Sequence, residues 1–303
     1  NSVTFNSEND LTVVLDDTAS DHGAFDAAGV TGTFTAEIAE VEADVDNGDG
    51  GTQTVTVPVD LSDSALTGID AVAFQAGAAA TLTSDQIQAV ADAEGFSVLD
   101  DGTATVNVDG LGEEEFSAGA LDLPESINIG TVTIADQDEV TLNANTDLSG
   151  VDKVSVPEGT TLTLTADQFE QVALDEDTGT LKSDVITGNG TVNITDLSDV
   201  QASRFDAATA LDDNVKAGEL TLMESAAFGD SAGADTATLG DFSIKLDGGQ
   251  TVTFTDDAQA HERVVDVAEA AEQTSVRLFF SGVDTNVNFG ATTSSAIDTS
   301  NYS

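Results

Sequence analysis

Residues 161–172 read TLTLTADQFEQV and residues 80–90 read ATLTSDQIQAV, so a Thr-Leu-Thr-x-Asp-Gln phrase leading into a short apolar-periodic segment occurs twice. Extending both outward gives LTGIDAVAFQAGAAATLTSDQIQAV at 66–90 and LSGVDKVSVPEGTTLTLTADQFEQV at 148–172, which align without a gap and are identical at eleven of 25 positions. Gly68 falls on Gly150, Asp70 on Asp152, Gly77 on Gly159 and Gln86 on Gln168. Farther along, TVNVDGL at 105–111 answers TVNITDL at 191–197. A repeat offset of about 82 residues means that one supersecondary unit has been used more than once. The unit reads as a strand, a glycine turn, a second strand, a short helix and a closing strand.

The quoted phrase has the chemistry of a helix start. In Thr83-Ser84-Asp85-Gln86 and Thr165-Ala166-Asp167-Gln168, a threonine hydroxyl can accept from a first-turn amide while the glutamine reaches back, which is a capping box. The aspartate adds favourable charge at the helix N-terminus. Ser198-Asp199-Val200-Gln201 opens a third helix, with Val200, Phe205, Ala208 and Leu211 as its expected apolar stripe. Gly95 fits a stop for the first helix. Helix capping requires these residue types at this spacing, so the Asp-Gln pairs read as strand-to-helix joints in preference to ligand sites.

A third, worn copy is visible in FSIKLDGGQTVTFTDDAQ, residues 242–259, and the following DDAQAHERVVDVAEAAEQ reads as an amphipathic helix. The first 53 residues contribute extra strands outside the repeat. The expected organisation is an N-terminal β segment at 1–53, repeat modules at 54–139 and 140–218, and a degenerate third module with C-terminal strands at 219–303. The fold class is mainly β: tandem β-rich modules, sandwich- or solenoid-like, with short capped helices inserted. Short alternating runs such as TQTVTVPV support this along the whole length, and an apolar fraction of 40% is enough to bury cores.

Charge is the most extreme property. Against 57 Asp and Glu stand 7 Lys and Arg, a formal net charge of −50. Such a field repels DNA, RNA and anionic membrane surfaces, and its self-repulsion calls for screening by salt or divalent cations. The acids alternate with Val, Leu, Ile and Phe, which is unlike a disordered acidic tail. Cysteine is absent, so disulfides and thiolate chemistry are excluded. No apolar run reaches the 18 or so residues that span a bilayer. The first residue is Asn, and the chain reads as a mature exported product.

Catalytic constellations are not found. The two histidines, His22 and His261, lack a second imidazole at ligand spacing, and the sequence has no HExxH, SxxK or phosphate-binding glycine loop. Carboxylate pairs are too abundant to be diagnostic of glycoside hydrolysis, and without Trp and with a single Tyr a sugar-stacking cleft is not expected. The chain therefore reads as a non-enzyme. Calcium is the cofactor that acidic turns could serve, since it takes six to eight oxygen ligands. DVDNGDGG, residues 44–51, offers Asp44, Asp46 and Asp49, although it is not an EF-hand, because position twelve is Val55. Other acidic turns are Asp16-Asp17 with Asp21, Glu113-Glu114-Glu115, Asp175-Glu176-Asp177 and Asp212-Asp213.

The repeated phrase LxGhDxhxhxxGxxxTLTxxQhxxV, with h apolar, resembles the repeats of very large surface-layer and adhesin-like proteins of Gram-negative bacteria, especially marine ones. It covers residues 66–111 and 148–197, and more weakly 242–280. The resemblance implies a secreted, Ca2+-dependent, structural protein of the extracellular space or cell surface. The leading expectation is thus an extracellular structural protein that self-assembles into a surface lattice, tube or filament, as a homopolymer of its own subunits. NSVTFNSENDLTVVL and SVRLFFSGVDTNVNFG are the segments expected to meet a neighbouring sheet edge or to complete the chain's own sheet. A Ca2+-dependent adhesin or binding module on the cell surface is the alternative.

Overall fold

In a computed structural model of the chain, strands rarely pair with their sequence neighbours. They pair with strands 20 to 30 or so residues farther along, and they do so in parallel. Parallel pairing at that separation needs a return path for every strand, and here the return path is itself a strand of another sheet. The result is a parallel β-solenoid, in which one circuit, or rung, stacks on the next. The structure describes residues 2–16, 24–46, 52–93, 95–114, 116–117, 123–175, 178, 181–205, 207–224, 226–228 and 242–246. Beyond them it describes the strands Val252–Phe254, Val264–Val267, Ser275–Val276, Asn286–Phe289 and Ala296–Ile297. Among the described residues no helix is long and apolar enough to cross a membrane.

The chain forms two compact units. The first comprises Asn1–Leu111, Phe116–Thr133 and Asp147–Asp152. Here Leu11–Leu15, Phe34–Ile38, Ala71–Phe74 and Gly95–Val98 form one parallel sheet, while Ser2–Ser7, Ala24–Val30 and Ala65–Thr67 form another. Register stacks like residues over like: Leu15 lies over Ile38, Phe74 and Val98, and Val13 over Ala36, Val72 and Phe96. These columns are the core, with Ile38, Phe74, Ala36 and Val72 all buried. The first 53 residues are thus rungs of the same sheets as the first repeat, apart from the hairpin Glu42–Asp46 with Thr52–Thr56. That hairpin is the antiparallel ladder among the described strands, and its second strand is exposed except at half-buried Val55.

The second unit comprises Gly112–Glu115, Ile134–Thr146 and Lys153–Ser303. Its largest sheet runs Glu139–Thr141, Thr161–Thr165, Thr191–Leu197, Lys216–Leu222, Ser243–Leu246, Val264–Val267 and Asn286–Phe289, all parallel. Leu164, Ile194, Leu220 and Ile244 stack in one buried column. Phe205 sits between Phe169 and Phe242, at ring distances of 5.3 and 5.9 Å.

The repeat is wired identically in its two copies. Ala79–Thr83 pairs with the strand carrying TVNV so that Thr81 meets Asn107, and Thr161–Thr165 pairs with the strand carrying TVNI so that Thr163 meets Asn193. The aligned glycines 68 and 150, and 77 and 159, share left-handed backbone. Helix α1, Ser84–Ala91, and helix α2, Ala166–Ala173, start at the expected caps. Both Asn side chains then accept from the following rung: Asn107 Oδ1 from Thr131 N at 2.8 Å and Asn193 Oδ1 from Glu219 N at 2.7 Å.

Three helix expectations are corrected. Residues 264–267, VVDV, form a parallel strand between Ser243–Leu246 and Asn286–Phe289 where a helix was expected. Three valines in four residues favour extended backbone, and a sheet position between two neighbours realises that preference. The helix from Ser198 is broken into α3, Asp199–Arg204, and α4, Ala207–Ala210; Phe205 turns extended between them and is buried, while Val200 is 66% exposed instead of lining the stripe. Gly95 is left-handed but opens the next strand, the α1 C-cap being Asp92.

Candidate functional site

The capping glutamines do more than cap. Gln168 Oε1 accepts from Thr165 N at 2.9 Å, and its Nε2 donates to the carbonyls of Asn143 at 2.8 Å and Thr146 at 3.1 Å, in a turn of the preceding rung. Gln86 repeats the pattern with Thr83 N, Leu61 O and Ser64 O at 2.8, 3.0 and 2.7 Å. Gln201 caps Ser198 but sends its Nε2 to Asp167 Oδ1 at 2.8 Å and Glu170 Oε2 at 3.2 Å on α2. Both N–H donors of each amide and its oxygen are engaged, which leaves little capacity for a ligand. These side chains fasten rungs together.

Around Gln201 lies a groove of about 590 Å³, lined in part by Asp167, Gln171, Asp196, Val200 and Met223. Ser198 is the hydroxyl nearest to a nucleophile here, and its Oγ donates to Gln201 Oε1 at 2.8 Å. Ser231, in the GxSxG spelling GDSAG at 229–233, lies outside the described residues. His22 and His261 lie outside the described residues.

Where they are described, the acidic turns make short-range hydrogen bonds. Of the three predicted metal ligands, Asp44 and Asp46 lie on one strand of the exposed hairpin, opposite Thr54 and Thr52, and Asp49 lies outside the described residues. Asp44 Oδ1 accepts from Thr54 Oγ1 at 2.9 Å. Glu114 folds back on Gly112 N at 3.1 Å, and Asp175 Oδ1 accepts from Thr178 N at 2.9 Å; Asp17, Asp21, Glu115, Glu176 and Asp177 are outside the described residues. Asp212 accepts from the Asn214 backbone and side-chain N–H groups, which with nearby Lys153 hold its carboxyl below the usual range. Among the described residues, no three acidic or imidazole groups gather closely enough to hold a metal ion.

A cluster that the sequence reading did not single out is Asp109 with Asp60 and Asp63. Burial first, and then the charges of Asp60 and Asp63, push the Asp109 carboxyl above its ordinary value, against a hydrogen bond from Ser62. The contacts are legible only from register, which sets Asp60 and Asp109 on either side of the strand Ala79–Thr83. When a folded pKa lies above the unfolded one, the folded chain holds more protons between the two values, so stability falls as pH rises through that window. Asp109→Asn is therefore expected to raise the urea midpoint at neutral pH. That advantage should shrink as the parent's Asp109 becomes protonated at acid pH, measured as paired denaturation curves across a pH series.

Another surface is the rung 2–15, where, among the described strands, Ser2–Ser7 and Leu11–Leu15 are edge strands of their respective sheets. In the next rung the inward Phe25, Ala27, Phe34, Ala36 and Ile38 are all buried, whereas Val3, Phe5, Leu11 and Val13 of the first are only half-buried. Neither edge strand contains a charged residue or proline, although 21% of the chain is charged. Glu8 and Asp10 sit in the turn between them, and Asp10 Oδ1 is drawn to Thr33 N at 2.9 Å. Edge strands usually carry charge, proline or a bulge. A bulge does occur in the pairing of Ser2–Ser7, but the extra residue belongs to the inner strand, Ala24–Val30.

No protein-family model, curated protein or solved structure matches the chain.

Proposed function

We propose that this is an extracellular structural protein that self-assembles into a cell-surface lattice, tube or filament, with its acidic surface screened by Ca2+ or salt. The observation that carries the reading is the stack of parallel rungs in which like residues lie over like and glutamine amides are spent on fastening one rung to the next. On a chain of charge −50, copies repel one another, so approach is least opposed where carboxylates are missing and where counter-ions screen the rest. The fully engaged glutamine amides favour a scaffold over a catalyst.

Negative-stain imaging of the purified chain in dilute buffer, in concentrated sodium chloride and in calcium chloride tests this. Ordered polymers in either salt, dispersing in dilute buffer, are the expected result. Monodisperse particles in all three would overturn the proposal. If such a monomer attached to cells or glycans until a chelator was added, a binding module would take its place.

A further inference from the structure

We infer that the Thr-x-Asn phrase is a joint that sets the register of the following rung: its asparagine side chain fills a one-residue skip in the next strand, and a glycine of that strand makes room for it.

The phrase lies within a strand at three places, Thr4-Phe5-Asn6, Thr105-Val106-Asn107 and Thr191-Val192-Asn193. At each of them a glycine of the next rung lies against the asparagine. A methyl group added to Gly29 would fall on Asn6 Oδ1, one on Gly130 would fall on Asn107 Oδ1, and one on Gly218 would fall on Asn193 Oδ1. None of these three glycines has left-handed backbone, so what glycine supplies here is space.

Each glycine marks a place where its strand carries one residue more than the strand before it. Thr4 pairs with Asp26 but Asn6 with Gly29, and Val192 pairs with Ala217 but Ile194 with Leu220. In the remaining instance buried Ile127 and Ile129 precede Gly130, and buried Val132 and Ile134 follow it, so the inward row skips in the same way. A strand alternates sides with period two, and a slip of one residue turns every later side chain over. Counted from Ala217 without the skip, Glu219 would face the core and Leu220 the solvent. With it, Leu220 is buried and Glu219 exposed.

An extra residue takes backbone groups out of the ladder, and the asparagine meets that need. Asn107 Oδ1 accepts from Thr131 N and Asn193 Oδ1 from Glu219 N, in both cases the residue after the glycine. Asn193 also reaches backward, its Nδ2 donating to Thr163 Oγ1 at 3.3 Å, so one amide ties three successive strands. The spelling alone is not enough. Thr141-Leu142-Asn143 shares it, but this asparagine lies past the end of the strand Glu139–Thr141 and accepts from Asn145 N at 2.9 Å within its own turn.

The joint couples asparagine and glycine in a way that two independent stabilising groups would not be coupled. Asn193→Ala removes the acceptor of Glu219 N–H, and Gly218→Ala puts a methyl group into the space of the Asn193 amide, so each is expected to lower the urea midpoint. With both changes together the methyl group no longer meets the amide, and the midpoint is expected to fall no further than with Gly218→Ala alone. Residue-resolved hydrogen exchange reads the bond itself. Asn193→Ala is expected to speed exchange at the Glu219 amide by about tenfold more than at the Leu220 amide, and Asn193→Asp, which keeps an acceptor oxygen, to restore most of the protection. Asn107→Ala with Gly130→Ala repeats the cycle in the first unit, so the test stands even if Gly218→Ala does not fold. Midpoint losses that simply add, or equal acceleration at the two amides, would overturn the joint.

Discussion

Gly188→Ala is expected to cost about 2–5 kcal/mol of stability, as the sum of left-handed backbone strain and a steric clash. Gly188 adopts φ +101° directly opposite Val156 in the ladder between Val151–Val156 and Ile186–Gly188. A methyl group added there would sit on the Val156 carbonyl oxygen, inside contact distance, with the Val156 nitrogen and carbonyl carbon each 2.9 Å away. That same carbonyl accepts from Asn189 N at 3.0 Å and Gly190 N at 3.1 Å, so it cannot retreat without releasing both bonds. The backbone has nowhere to move. Gly159→Ala in the same unit is the control, since Gly159 is equally left-handed at φ +90° but has nothing within 4 Å of the added carbon. It should cost only about 1–2 kcal/mol. Urea midpoints of the two variants should differ clearly; equal midpoints would mean that the corner at Val156 yields more easily than its hydrogen bonds imply.

Gln168→Leu should destabilise by about 2–4 kcal/mol, because the replacement keeps the volume but abandons buried polar groups. The Gln168 side chain is 2% exposed. Without it the Thr165 N–H loses its cap and the Thr146 carbonyl loses its donor, while the Asn143 carbonyl keeps the bond it accepts from Thr146 N at 2.8 Å. Gln86→Leu removes the same set of bonds at a half-buried site, where water can partly replace them, so its effect should be about half as large. The comparison separates an inter-rung fastener from a space-filling side chain. If leucine at 168 were tolerated as well as at 86, packing and not hydrogen bonding would be holding the rungs.

The contrast between these glutamines and their partners explains what the sequence could reveal. A capping box is made of side chains on both sides of the bond, so Thr83 with Gln86 and Thr165 with Gln168 announce themselves by identity and spacing. The outward half of the same amide binds backbone carbonyls at Leu61 and Ser64, and at Asn143 and Thr146. Any residue supplies a carbonyl, so LSDS at 61–64 and NANT at 143–146 share no letters although they hold equivalent places. Strand alternation was legible for a related reason, since it records which side of the chain is buried. It does not record which strand lies beside which, and rung-on-rung parallel pairing had to come from the fold. The misread helix at 264–267 follows from the same limit, because an acid-rich flank around VVDV carries helical spacing while the pairing that decides the matter is more than 20 residues away on each side. Of the candidate ligands, Asp44 and Asp46 share a strand of an exposed hairpin, and the Asp60, Asp63 and Asp109 cluster was invisible because its members are brought together by register alone.

The half-buried row of Val3, Phe5, Leu11 and Val13 has a thermodynamic side. In a one-dimensional stack each rung draws its stability from the rungs it touches, so Ser2–Ser7 and Leu11–Leu15, paired on one side among the described strands, open at a lower free energy than the rung beside them. Hydrogen exchange at Ser2–Leu15 of this chain is expected to be faster than in the enclosed rung of Phe34–Ile38.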